Sequence, residues 1–325
     1  MKIIECVPNI SLSANAQKLK RIIEAVRQVP GAALLHTDEN PSANRTVLTF
    51  AGEPCAVVQA ARACIKTALQ EIDMRTHRGA HPRLGAVDVC PLVPVQGITL
   101  EETAQLARTL ARQAAQENNL PVYLYEAAAT APERKNLVDV RRGEYESLPQ
   151  KLQNFPPDFG PRTWGEHIRQ TGACIIGARP VLIAFNINLN TKDPAPAKKI
   201  AAAVREKTGR LKAVKAIGWY MENFGCAQVS CNLINYEITG PAQVFEACKQ
   251  EAQRLGLKAT GCEAVGLIPR RALEEAGRFY TQEEALPAQK LVELAIQKLN
   301  LNDVKPFLPQ EQILEEKLHA CLPPR

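Results

Sequence analysis

The segment Val181-Leu182-Ile183-Ala184-Phe185-Asn186-Ile187-Asn188-Leu189 has the length and apolar, β-branched character of a strand, too short and too poorly periodic for a helix. Downstream, Pro194 to Lys207 reads as a helix opened by proline, and Ala213 to Tyr220 and Ala227 to Ile234 as two strands. Pro241 to Leu255 reads as a second helix and Lys258 to Ile268 as a final strand. The order strand-helix-strand-strand-helix-strand is the split βαβ arrangement of ferredoxin-like folds. Helices over Leu291 to Leu299 and Glu311 to Leu318 follow.

The first half repeats that order. Ile3 to Val7 reads as a strand, and Ser11 or Ser13 is placed to cap a helix whose apolar stripe is Leu19, Ile22, Ile23 and Val26. Pro30-Gly31 ends it; Ala32 to His36 is the next strand, Asp38 to Ser42 a polar loop, and Thr46 to Phe50 a third strand. Val58, Ala61, Ile65, Leu69 and Ile72 line one side of a second helix. In Val87 to Val95, Pro91 and Pro94 point to an edge strand or a strand end. Thr99 and Glu102 form a capping box opening a third helix with Leu106 and Leu110 on its seam, before a strand over Pro121 to Tyr125. The proline-rich stretch from Asn154, running to Arg179-Pro180, is the expected linker. The expected fold is therefore α/β (α+β): two ferredoxin-like βαββαβ subdomains, 1–179 and 180–325, with mixed sheets, helices on the outer faces and a ligand cleft between them.

Composition narrows the function. The 325 residues carry 40 Lys+Arg against 34 Asp+Glu, a net charge of +6, and 46% are hydrophobic. Ample core material excludes disorder and a collagen-like repeat. The small basic surplus fits an enzyme acting on carboxylates better than a nucleic-acid binder, which would concentrate a basic stripe. The longest apolar runs are far below the roughly 20 residues of a membrane-spanning helix. Ten scattered cysteines without a Cys-x-x-Cys pair read as free thiols, so the expected location is the cytoplasm, with no membrane or nucleic-acid partner.

The most unusual stretch is Arg75-Thr76-His77-Arg78-Gly79-Ala80-His81-Pro82-Arg83-Leu84-Gly85. Its glycines and proline oppose a helix, so it reads as a loop carrying two histidines that titrate near neutral pH beside anion-binding arginines. A solvated basic loop without chemistry fits the residue types equally well. His77 and His81 have the i, i+4 spacing of metal ligands, but no third ligand is near, and no metal is expected. Asp38, Ser42, Asn44 and Arg45 form a second polar loop that either turns towards the same cleft or does ordinary turn chemistry. The rigid Pro156 to Trp164 loop offers Phe159 and Trp164 for stacking on a planar ring, or for burying the linker. Gln228, Ser230 and Asn232 share one strand face and suit either a ligand or solvent. No phosphate-binding glycine loop, nucleophile elbow or nucleotide fingerprint is present.

Several segments resemble the glutamate formiminotransferase family: Glu5-Cys6-Val7-Pro8-Asn9, Asn44-Arg45-Thr46-Val47, His77 through Pro91, Pro157-Asp158-Phe159-Gly160-Pro161, Gly177-Ala178-Arg179-Pro180, Ala184 through Leu189, Ala227-Gln228-Val229-Ser230 and Val265-Gly266-Leu267-Ile268-Pro269. The likeness runs in order along nearly the whole chain. It implies transfer of the formimino group from N-formimino-L-glutamate to N5 of tetrahydrofolate, the co-substrate, in histidine breakdown. It further implies two related α/β subdomains with folate between them, a homodimer, and a separate cyclodeaminase for the next step. By matching motif, the catalytic histidine falls on His81 and its acidic partner on Asp38. The family's folate-contacting loop falls on Pro157 to roughly Glu166. The expected substrate or folate contacts are Asn9, Asn44, Arg78, Arg83, Asp158, Phe159, Gly160, Pro161, Trp164 and Gln228, with Arg78 and Arg83 either holding substrate carboxylates or forming structural salt bridges. The family usually has Ser-Glu-Gly after the first strand, where this chain has Ser11-Leu12-Ser13. The alternatives are a non-catalytic folate-binding protein, or a related one-carbon enzyme such as a formyltetrahydrofolate cyclo-ligase; the latter requires ATP.

Overall fold

In a computed structural model the chain forms two compact units, Met1–Pro180 and Val181–Ala320. The described residues are 1–13, 15–41, 43–79 and 81–322; Ser42 and Ala80 of the two polar loops lie outside them. The first unit runs β1 (Ile3–Cys6), β2 (Asn9–Ile10), α1 (Ala16–Arg27), β3 (Ala32–Asn40), β4 (Arg45–Gly52), α2 (Pro54–Glu71), β5 (Val87–Gln96), α3 (Leu100–Asn118), β6 (Val122–Glu126), α4 (Leu137–Arg141), α5 (Leu148–Asn154), α6 (Glu166–Thr171) and β7 (Cys174–Ala178).

β1 and β2 are one strand broken at Val7-Pro8, and both pair antiparallel with β4 and β5. With β3 outside β4, this is the expected βαββαβ order. It is then extended by β7, parallel to β5, and β6, parallel to β7. The segment read as a linker thus supplies a central strand, β7. β5 is likewise central, not an edge. Its prolines are tolerated because the Pro91 carbonyl accepts from Val7 N–H (3.1 Å), so its missing N–H faces the break between β1 and β2. Pro94 sits beside a register shift opposite Ile3 and Ile4. A second shift matters more: Asn9 pairs with Val89 but Ile10 with Val87, leaving Asp88 as the extra residue of a bulge.

One face of this sheet, with Ile10, Phe50, Val87, Cys90, Leu124 and Ile176, packs on α1, α2 and α3. Each fully buried Ile, Val or Phe there contributes roughly 1.5–3 kcal/mol. Asn15 caps α1 by accepting from Lys18 N–H, in place of either expected serine, because Ser11 Oγ donates instead to the Gly85 carbonyl (2.7 Å). The Thr99–Glu102 capping box forms as expected. On the opposite face Val89, Tyr123, Tyr125 and Ile175 pack with Val140 and Leu148 of α4 and α5. Asp38 to Asn40, read as loop, continue β3 up to the turn before β4; the polar run is the exposed end of a hairpin.

The second unit runs β8 (Ile183–Leu189), α7 (Pro194–Val204), β9 (Val214–Met221), β10 (Cys226–Leu233), α8 (Pro241–Arg254), β11 (Ala259–Val265), α9 (Arg270–Phe279), α10 (Ala288–Lys298), α11 (Pro309–Gln312) and α12 (Leu314–Cys321). Its order, β11-β8-β10-β9, is entirely antiparallel, not mixed, because each βαβ crossover skips a strand. Phe185, Ile187, Val229 and Cys231 share one core with Ile200 of α7 and Val244 of α8, so both helices cover one face. α9, with Leu273 buried, is a helix that periodicity did not reveal.

Candidate active site

Among the described residues, the loop between α2 and β5 has neither helix nor strand beyond the single bridge of Gly85 with Gly172, as its glycines and proline require. It is held by side chains, not by packing alone. His77 is buried and donates from Nε2 to the Asn44 carbonyl (3.0 Å), while Arg83 Nε donates to its Nδ1 (3.3 Å). These two bonds fix a neutral ring with its proton on Nε2. Arg83 is buried too, and its guanidinium donates to Glu146 (2.6 and 2.8 Å) and Glu144 (3.2 Å). Of the two roles expected for Arg83, a hold on a substrate carboxylate or a structural salt bridge, the structure shows the salt bridge. Asn44 adopts a left-handed φ of 44°. Its amide accepts from Ser13 N–H (3.0 Å) and donates to the Arg78 carbonyl (2.9 Å). Gly85 passes so close to Ala173 that a Cβ would lie 2.4 Å from its carbonyl oxygen.

His81 leads a cluster on this loop. Arg45 Nη1 donates to His81 Nε2 and to Asn9 Oδ1, both at 2.8 Å. A guanidinium cannot accept, so the resting imidazole carries its proton on Nδ1. Asp88, aimed by its bulge, accepts from Leu84 N–H (2.9 Å) and lies 2.7 Å from Arg141 Nη2. That close contact is an ion pair. Burial, then the Arg45 and Arg141 cations, push the His81 pKa down to about 4. Burial raises Asp88 to about 6 against the pull of Arg141. Burial also lowers Arg45, opposed by the Asp38 and Asp88 carboxylates. Among the described residues, His81 Nδ1, Arg45 Nε, Arg141 Nε, Asp88 Oδ2 and Ser13 Oγ are all buried without a hydrogen-bond partner. Buried polar atoms are otherwise nearly always satisfied, which makes this cluster the candidate site.

The structure brings Asn9, Asn44 and His81 together, but not in the pairing expected. Asp38 makes no hydrogen bond to His81 among the described residues. β3 and β4 pair Asp38 with Val47 and Asn40 with Arg45, so Asp38 lies diagonal to Arg45 on one face and influences that cation. Arg78 is exposed, donating to the His77 carbonyl (2.7 Å), and has no carboxylate partner among the described residues. The aromatic loop is fastened to its own unit. Asp158 accepts from Leu124 N–H (2.8 Å), Thr130 (2.7 Å) and Arg134 (2.8 Å). The Phe159 backbone bridges Val122, and Gly160, at φ 88°, presses on the Leu120 carbonyl. Half-exposed Pro161 and Trp164 remain open, Trp164 standing edge-on to Tyr145 (5.8 Å). In the second unit Gln228 is fully buried, donating to Asn188 Oδ1 (2.7 Å) and accepting from Trp219 Nε1 (3.2 Å). Sequence reasoning missed Arg141 and Asp88 as site residues. Arg141 is one of several scattered arginines on α4 and its flanks, and nothing in the chain marks it.

Residues 3–179 match the formiminotransferase domain, N-terminal subdomain, and residues 184–319 match the formiminotransferase domain. The chain is 39% identical to a glutamate formimidoyltransferase of Streptococcus pyogenes over 90% of its own length and 97% of that protein's. It is equally 39% identical to the glutamate formimidoyltransferase of Thermoplasma acidophilum, over 92% and 98%. The formimidoyltransferase-cyclodeaminase of Rattus norvegicus is 44% identical over 97% of this chain, which spans only 59% of that longer protein. On two domain matches and full-length relatives, the chain belongs to the formiminotransferase family.

Proposed function

We propose that this protein transfers the formimino group of N-formimino-L-glutamate to N5 of tetrahydrofolate, with His81 carrying the proton. The observation that supports this most is the group of partnerless polar atoms around His81. The donor substrate brings carboxylates, and Arg45 and Arg141 are half-buried cations with unused Nε donors. A carboxylate taken by Arg45 draws that guanidinium off His81 Nε2 and removes a cation that keeps the ring neutral. The freed nitrogen is then a competent base near neutral pH.

N5 of tetrahydrofolate attacks the amidine carbon, forming the N–C bond of a tetrahedral intermediate. His81 takes the proton that N5 releases and passes one to the glutamate nitrogen. The C–N bond to glutamate then breaks, its electrons leaving with the nitrogen, and the carbon–nitrogen double bond re-forms on the folate. General acid–base catalysis of this kind is worth about 10²–10⁴-fold, and orientation of both substrates supplies much of the remainder. Asp38 acts through Arg45, as a positioning residue. Asn9 holds Arg45 and Asn44 the loop, Arg78 is free for a second carboxylate, and Pro161 and Trp164 border the folate. A homodimer, a cytoplasmic location and a separate cyclodeaminase complete the reading.

The test is to mix the purified protein with N-formimino-L-glutamate and tetrahydrofolate and follow 5-formiminotetrahydrofolate by absorbance, alongside His81→Ala. Turnover that falls at least about 10²-fold in the variant, with folate binding kept, is the expected result. Folate binding without turnover in the unaltered protein sinks the transferase reading; full turnover by His81→Ala sinks the role of the histidine.

A further inference from the structure

On the face of the first sheet covered by α4 and α5 lies an open-sided cavity of about 400 Å³ lined by Glu133, Asp139, Arg142, Lys151 and Phe155, none of which the reading of the His81 cluster uses. Lys151 is the unusual member. It is nine-tenths buried, a rare state for an unpaired lysine, and has no carboxylate within ion-pair distance among the described residues. Its ammonium donates to the Arg142 carbonyl (3.1 Å) and lies 5.1 Å from the Phe155 ring centre and 5.9 Å from that of Tyr123. That leaves donors on the ammonium unused. Burial and the nearby Arg142 and Arg134 cations all lower its pKa. Tyr123, stacked on Phe155 (5.8 Å), adds a buried hydroxyl with no partner.

Charge balance around the cavity selects the ligand. Arg142 is ion-paired with Asp139, and Arg134 with Asp158. Lys151 is therefore the unmatched cation of the lining, and Glu133, which makes no ion pair among the described residues, is the unmatched anion. A dianion such as sulfate would meet one free cation and one free carboxylate. A ligand with one carboxylate and one ammonium meets a partner for each. We propose that this cavity binds a free α-amino acid as its zwitterion, carboxylate on Lys151 and ammonium towards Glu133. The proposal does not rest on the transferase reading.

Protein labelled with [13C]lysine provides a local probe, because the ε-methylene of Lys151 is displaced by the ring currents of Phe155 and Tyr123; Lys151→Gln assigns it. The full chain is titrated with glycine, acetate, methylammonium and sulfate. Glycine is expected to give a saturable shift of this signal, with acetate and methylammonium each weaker by about five-fold, the upper range for one exposed ion pair. Glu133→Gln should bring glycine down to the level of acetate, while dispersion of the other lysine signals shows the fold intact. Arg45→Met, which alters the His81 cluster, should leave glycine binding unchanged. Acetate equal to glycine, sulfate tighter than both, or no saturation by any probe overturns the proposal. So does loss of the glycine response in Arg45→Met.

Discussion

Replacing Arg45 with methionine should move the titration of His81 by a predictable amount. Methionine keeps an apolar stem in the half-buried site but removes the Nη1 donor that now meets His81 Nε2 at 2.8 Å. The ring is held down from 6.5 to about 4, with burial the largest cause and Arg45 the next. A unit charge roughly 4 Å away is worth about 1 kcal/mol in water and about 4 kcal/mol at an effective dielectric of 20. Burial outranks Arg45 as a cause of the drop from 6.5 to about 4, so the lower end applies, equivalent to about one pH unit. His81 should therefore titrate near 4 in the unaltered protein and about one pH unit higher in Arg45→Met. The assay is a pH titration of histidine ring resonances by NMR, which is tractable because the chain has 5 histidines, with His81→Gln for assignment. Linkage gives the matching stability effect. A histidine depressed in the folded state binds fewer protons than the unfolded chain, so stability falls as pH drops from 6.5 towards about 4. In the variant that acid loss should span a narrower window. A wild-type His81 titrating above pH 6, or one unmoved by Arg45→Met, would refute the account of the cluster.

Asp38→Asn should lower turnover by about ten-fold, well short of the effect of His81→Ala, because its carboxylate acts only through Arg45; steady-state kinetics decide, and equal losses would restore a direct Asp38–His81 contact. Gly85→Ala drives a Cβ against the Ala173 backbone and should remove about 3 kcal/mol, lowering the first unit's melting temperature by roughly 6–12 °C in calorimetry. Thr99→Ala abolishes the capping box of α3 and should cost about 1 kcal/mol in denaturant unfolding.

The second unit was readable almost element by element, since its strands are short apolar runs and α7 and α8 show clear helical periodicity. β7 was hidden because Cys174–Ala178 follows a proline-rich stretch that behaves locally like a linker, and only pairing with β5 and β6 makes it a strand. The His81 loop was legible through its glycines and proline. Its partner was not: whether a carboxylate on β3 reaches His81 or Arg45 depends on hairpin register, set by the turn ending in left-handed Asn44. Asp158 and Arg83 also have internal partners that the sequence alone does not display. A polar residue within a recognisable motif reads as a ligand contact until its internal partners are seen.

The bulge at Asp88 changes how insertions in this fold should be read. Val87 and Cys90 face the helical core while Val89 faces the other side, so removing Asp88 would rejoin Val87 to Val89 with strict alternation intact. The partners Ile10–Val87 and Asn9–Val89 would become consecutive rungs of a regular ladder. The sheet therefore does not need this residue to close its hydrogen bonds or to fill its core. A single added position has brought a carboxylate into the interior of a central strand, where an in-phase substitution would have displaced an apolar side chain. Chain length, as much as residue type, encodes the charge that anchors Arg141, and a variant one residue shorter here would keep the architecture while losing that anchor.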